Sequence, residues 1–143
     1  PAITPPGKPP EKPAGPPAAV SPEELYRTAL NDYTRGSYEL AISGFRSFLQ
    51  WFPKATLAPN AQYWLGEAYF SQGQFVQAIK ELEAVVREYP ESPKVPSAIL
   101  KQGYAYLELG EVDQAKGVLR ELIRRFPKTS EARLARERLH EIR

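Results

Sequence analysis

The stretch from Pro59 to Pro90 reads PNAQYWLGEAYFSQGQFVQAIKELEAVVREYP, and its punctuation decides the fold. Apolar and aromatic residues recur at helical spacing up to Gly73, resume from Phe75, and stop at Pro90. The same marks recur on both sides. Gly36, Gly73 and Gly110 stand 37 residues apart, as do Ala41, Ala78 and Ala115, and again Pro53, Pro90 and Pro127. Three landmarks repeated three times at one offset define an internal repeat of paired helices, and such a repeat governs the whole architecture.

Working outward, each pair follows the same plan. Ser21-Pro22-Glu23-Glu24 supplies an N-cap, a proline at the first helical position and a glutamate placed to close a capping box. Leu25, Ala29 and Tyr33 then recur every four residues as far as Gly36, where the chain turns. The second helix carries Ala41, Ile42, Phe45, Phe48 and Phe52 and ends at Pro53, because proline disfavours helix in the residue before it. Helices over Pro59–Gln72 and Phe75–Tyr89 form the next pair. Ser92-Pro93 is expected to open the third pair, which turns at Gly110 and runs to Pro127. Thr129 or Ser130 caps a last helix to about Ile142, rich in Arg and Glu as suits the outer face of a terminal cap. Gly66 and Gly103, and less effectively Ala29, allow the helices of a pair to approach closely.

Composition divides the chain near residue 22. Nine of the 15 prolines fall in Pro1–Pro22 and all 16 aromatic residues follow it. Residues 1–21 therefore read as an extended Pro-rich linker, and a chain that opens in a spacer implies a longer protein with another module upstream. The formal charge is +2, with a mildly acidic middle and a basic end: residues 120–143 hold eight basic and four acidic groups. That is too weak a footprint for a dedicated nucleic-acid binder. No apolar run approaches the ~20 residues of a membrane span. There is no cysteine, so disulfides and thiolate metal sites are excluded.

The WLGxxY of Trp64–Tyr69, the Ala78-x3-Leu82 step and Pro90, with Ala41-x3-Phe45 and Ala115-x3-Leu119 beside them, resemble the tetratricopeptide repeat. The fold this implies is all-α: a right-handed superhelix of three helix-turn-helix repeats, over about residues 22–55, 59–92 and 96–128, plus a C-terminal capping helix over about 129–142, the domain spanning 22–143. The wording from Phe52 to Tyr69, and Tyr89-Pro90-Glu91-Ser92-Pro93 followed by Ala98, is similar to the C-terminal repeat domain of the Tol–Pal-associated periplasmic cell-division coordinator family (CpoB/YbgF-like). That resemblance implies a periplasmic scaffold of the Gram-negative envelope that binds TolA or a peptidoglycan synthase and coordinates outer-membrane constriction with wall synthesis during division. It also implies oligomerisation through a coiled coil upstream of the linker. The alternative is a repeat subunit of an outer-membrane protein assembly or secretion complex.

In such a superhelix the first helix of each pair lines the concave side. The repeat pattern places Tyr26, Leu30, Tyr33, Tyr63, Glu67, Phe70, Tyr104 and Leu107 there, with Asn60 and Leu100 near the rim. Such exposed apolar area marks an interaction site, and a helix or extended peptide laid in the groove is its natural ligand. Lys101 is the one basic residue suited to a carboxylate clamp, so apolar recognition of a protein segment is expected instead. The inventory gives no enzyme. His140 is the only histidine, Asp32 and Asp113 are the only aspartates, and neither a phosphate-binding glycine loop nor a nucleophile elbow is present. No cofactor and no metal are expected.

Overall fold

Left-handed glycines set the rhythm of the chain. The computed structural model describes Pro16 and residues 18–142; the expected linker, residues 1–21, lies largely outside the described residues. The helices pair as α1 (Pro22–Thr34) with α2 (Tyr38–Trp51), α3 (Ala58–Ser71) with α4 (Phe75–Glu88), and α5 (Val95–Glu108) with α6 (Val112–Arg125). A seventh, α7 (Ser130–Glu141), follows, and there is no strand among the described residues. Each pair turns on a glycine at φ near +80° (Gly36 at 80°, Gly73 and Gly110 at 76°). Around Gly73 the Gly73 amide donates to Phe70 O at 2.9 Å and the Gln74 amide to Tyr69 O at 2.9 Å, the two bonds of a Schellman cap. The same two bonds form around Gly36 and Gly110.

The helix starts follow local chemistry. The Glu24 amide donates to Ser21 Oγ at 3.1 Å, so the Ser21 half of the expected capping box forms. Thr129 rather than Ser130 caps α7, its Oγ1 accepting from the Ala132 amide at 3.1 Å. The third pair does not begin at Ser92-Pro93. Ser92 Oγ instead accepts from the Lys94 amide at 3.0 Å and holds a turn, and α5 starts at Val95. The starts of α3 and α5 are set by Pro59 and Pro96, again 37 residues apart, each in a first turn where its missing N–H costs nothing.

Packing inside a pair depends on absent side chains. A Cβ on Gly66 would lie 2.6 Å from Leu82 Cγ, and one on Gly103 would lie 2.8 Å from Leu119 Cγ. Leu82 and Leu119 are fully buried in the space those glycines leave. The first pair solves the crossing differently. Its equivalent residue is Ala29, and the room comes from the opposite helix, where a Cβ on Gly44 would fall 2.8 Å from Ala29 Cβ. Phe45 and Phe48 fill the rest of that core.

Successive pairs stack so that α3 touches both α1 and α5, and α5 touches α7. No Cα of α2 comes within 8 Å of α4, nor any of α4 within 8 Å of α6. The first helices therefore form the tight inner layer and the second helices a spread outer one. Between α2 and α4 the outer gap is bridged by polar side chains. Arg46 donates to the Tyr69 hydroxyl at 2.5 Å and to Glu81 Oε2 at 3.3 Å, while Gln62 Nε2 donates to Glu81 O at 2.9 Å and to Oε1 at 3.2 Å. The Tyr89 hydroxyl donates to Pro53 O at 2.9 Å, tying the end of α4 to the preceding loop.

The glycines separate into those that are crowded and those that are not. Gly66→Val is expected to lose about 1–3 kcal/mol through overpacking against Leu82. Gly117→Ala, at an exposed position in α6 where a Cβ meets nothing within 4 Å, is expected to gain about 0.5–1 kcal/mol through helix propensity. Urea unfolding of both variants checks the pair of signs.

Candidate protein-binding groove

The inner layer brings together the side chains of α1, α3, α5 and α7 that its backbone spacing allows to touch. Tyr33 crosses from α1 to α3, its ring 5.1 Å from Trp64 and its hydroxyl 3.1 Å from Ser71 Oγ. Burial pushes the Tyr33 phenol above its ordinary range, against the opposing effect of the Ser71 bond. Glu67 crosses from α3 to α5, where Lys101 Nζ lies 3.4 Å from its Oε1. From α5 to α7 the Ser97 hydroxyl donates to Glu131 Oε2 at 3.0 Å. Side-chain contacts of this kind tie each first helix to the next.

Aromatic rings and cations alternate along this strip. Lys94 Nζ lies 5.1 Å from the centre of the Tyr63 ring and 5.9 Å from Trp64. Lys101 Nζ sits 4.4 Å from the centre of the Phe70 ring and 6.0 Å from that of Tyr104, and the Arg138 guanidinium lies 4.8 Å from the Tyr104 ring centre. Cation–ring contacts at such solvent-reachable sites contribute about 0.5–1 kcal/mol each. Tyr63, Phe70 and Tyr104 remain only partly buried.

Glu67 is the electrostatic centre of the strip. It is only 9 % exposed, and its Oε1 makes no well-formed hydrogen bond, the Lys101 contact being one of charge. Burial raises the Glu67 carboxyl above the usual carboxylate value; Lys101 and the Tyr63 hydroxyl bond pull it back only in part. Burial likewise pushes the Tyr63 hydroxyl well up.

The eight residues placed on this face by the repeat pattern fall into three groups. Tyr33, Tyr63, Glu67, Phe70 and Tyr104 share the strip just described. Tyr26 is half-buried and makes its ring contacts within the first pair, 6.0 Å from Phe45 and 6.1 Å from Phe48. Leu30 packs partly buried against the core, and Leu107 is partly buried near the turn into α6. Leu100, expected near the rim, is instead buried at 8 %. It occupies the register of Tyr63 one repeat later, and a shorter aliphatic side chain there joins the core.

What the sequence reading missed is the cations. Lys94 and Arg138 line the groove beside Lys101, so the surface is aromatic and cationic rather than simply apolar. A signal was present: Trp64, Lys101 and Arg138 stand at 37-residue intervals, so one repeat position alternates between a ring and a cation. Lys101, the residue suited to a carboxylate clamp, is engaged by Glu67. Among the described residues no three His, Cys, Asp or Glu gather into a possible metal site, and no helix is long and apolar enough to cross a membrane.

Paired helices turning on left-handed glycines, stacked with their first helices in an inner layer, define a tetratricopeptide-repeat domain. Solved structures agree on the fold. The Arabidopsis OM64 TPR domain superposes with a TM-score of 0.69 at 17% identity, covering 84% of this chain and 94% of that one. The N-terminal domain of stress-induced protein-1 from C. elegans gives 0.68 at 15% identity, covering 81% and 92%. The Yersinia enterocolitica type III secretion translocator chaperone SycD gives 0.63 at 22% identity, covering 85% and 98%. No curated protein sequence matches the chain. The family model YfiO, described as outer membrane lipoprotein, matches residues 18–143, and the chain belongs to that family.

The charge of Glu67 gives a test by pH. Because its folded pKa is raised, the folded state holds the proton more tightly, and ionisation costs stability as pH rises above about 4.5, the ordinary carboxylate value. Glu67→Gln removes that cost. The melting temperature of Glu67→Gln relative to the native chain is expected to climb as pH rises from 4.5 and to level off above the folded pKa, measured by circular dichroism.

Proposed function

We propose that this chain is a non-catalytic scaffold of the bacterial cell envelope, facing the periplasm, and that the strip from Tyr33 to Arg138 receives an extended or helical segment of a partner protein. The observation that carries this reading is the row of partly exposed rings, Tyr63, Phe70 and Tyr104, held in place by Lys94, Lys101 and Arg138. A stable fold has no need of partly exposed aromatic rings along its inner layer. Rigid rings of this kind are what anchor peptide segments at interfaces. The surrounding cations suit a segment that presents apolar side chains together with acidic groups.

Membership of an outer membrane lipoprotein family favours a place in an outer-membrane protein assembly or secretion complex. The second reading is docking of TolA, or of a peptidoglycan synthase, to coordinate wall synthesis with outer-membrane constriction. It is supported by the wording of Trp64–Tyr69 and of Tyr89–Ala98, and by the Pro-rich segment that precedes the repeats. An upstream heptad module, through which the protein oligomerises, belongs to the second reading. A lipid-anchor cysteine upstream belongs to the first.

Calorimetric titration separates the two, using purified TolA periplasmic segments in one series and outer-membrane assembly subunits from the same organism in the other. Saturable binding by one set alone selects the reading. Tyr63→Ala with Phe70→Ala is expected to weaken that binding at least tenfold, about 1.4 kcal/mol, while helical content by circular dichroism is retained. Unchanged affinity in the double variant removes the groove as the docking surface.

A further inference from the structure

The repeat allows one outer gap to be compared with the next, residue by residue. Between α2 and α4 the gap is filled by the chain itself, through Arg46, Glu81 and Gln62. One repeat later these positions hold Glu83, Val118 and Ile99, and the position of Lys80 holds Gly117. The polar bridge has no counterpart there. What lies between α4 and α6 is a pocket of about 430 Å³, lined by Val86, Ile99, Val118 and the buried Gln102 and left open at Gly117.

The rim of this pocket is ordered by charge. Glu83 and Arg87 lie one turn apart on α4, and Glu121 and Arg125 lie one turn apart on α6, in the same order. Since α4 and α6 are each the second helix of a stacked pair, the two glutamates share one end of the pocket and the two arginines the other. Arg87 contacts Glu88, and Glu121 contacts Arg124, both as exposed surface pairs. Pairs of that kind contribute little and yield readily to a competing partner.

We propose that this pocket is a second docking site, on the layer opposite the groove, for a helix of a partner protein. That helix inserts an apolar side chain between α4 and α6, sets a basic residue over Glu83 and Glu121, and sets an acidic residue one turn away over Arg87 and Arg125. It takes the place that Arg46 and Glu81 fill in the preceding gap. Apolar contact with Val86, Ile99 and Val118 supplies affinity, and the two-signed rim selects the partner and fixes its direction. A protein with both sites occupied bridges two partners, one on each layer.

The test uses the whole chain and a synthetic helical 14-mer, with a central leucine flanked by Lys and Glu one turn apart. Twins carry Lys, or Glu, at both flanking positions. Titration followed by amide shifts is expected to move Gly117 and Val118, with the two-signed peptide at least fivefold tighter than either twin. Gly117→Leu, which fills the opening at an exposed helical position, is expected to abolish those shifts with helical content retained. Glu83→Lys with Glu121→Lys is expected to transfer preference to the all-Glu twin. Tyr63→Ala with Phe70→Ala is expected to leave the titration unchanged, which separates this site from the groove. The proposal is overturned if 1 mM peptide leaves Gly117 and Val118 unmoved, or if all three peptides bind equally. It is also overturned if ultracentrifugation shows self-association that Gly117→Leu removes, since the occupant is then a second copy of the chain.

Discussion

The close crossing of the two helices in each pair is the constraint on which the rest of this structure depends. Leu82 can occupy the interior of the second pair only because Gly66 has no side chain, and Leu119 stands in the same relation to Gly103. Interiors pack to crystalline density, so one added carbon at such a crossing must displace something. The first pair shows that the constraint is on space rather than on a particular residue. There Ala29 stands on α1 and Gly44 opposite it on α2, and the approach is preserved.

From that approach follows the division into two layers. Each pair is a wedge, and stacking wedges brings α1, α3, α5 and α7 into contact while the second helices stay apart. The inner layer is close enough for single side chains to reach the next helix, as Tyr33 reaches Ser71 and Glu67 reaches Lys101. The outer layer has gaps that must be bridged, as by Arg46, or left open, as beside Gly117. Both candidate docking surfaces are therefore consequences of one packing geometry. The ends of the stack are finished by polarity: the exposed residues of α1 include Glu23, Glu24, Arg27, Thr28 and Asn31, and those of α7 include Arg133, Arg136 and Glu137.

Much of the fold was legible because a repeat states its own rules three times. Gly73 had to lie in a turn, since its left-handed conformation admits few other residues. Pro90 had to end a helix. The start of α5 was misread at Ser92-Pro93, because a serine followed by a proline is an N-cap signal in isolation. In the folded chain Ser92 serves the turn, and the second-position proline, Pro96, marks the start. In the groove, the repeat pattern assigned Tyr33, Tyr63, Phe70 and Tyr104 to first helices, where they are found. It missed that Lys94 and Arg138 stack on those rings, because such contacts join residues 30 or more positions apart in the chain.

The sequence by itself determined the number of helices, their pairing and the turn positions, because glycine and proline act through local backbone conformation and period alone reveals them. The tertiary structure decided which side chains became surface. Leu100 and Tyr63 occupy the same register, yet one is buried and the other offers a ring, since burial depends on what the neighbouring pair places opposite. It decided that Glu67 is a desolvated carboxylate facing Lys101 rather than a solvated surface charge. And it decided that the gap beside Gly117 is open while the one beside Lys80 is filled, because space between helices is a property of the stack and is written in no single segment.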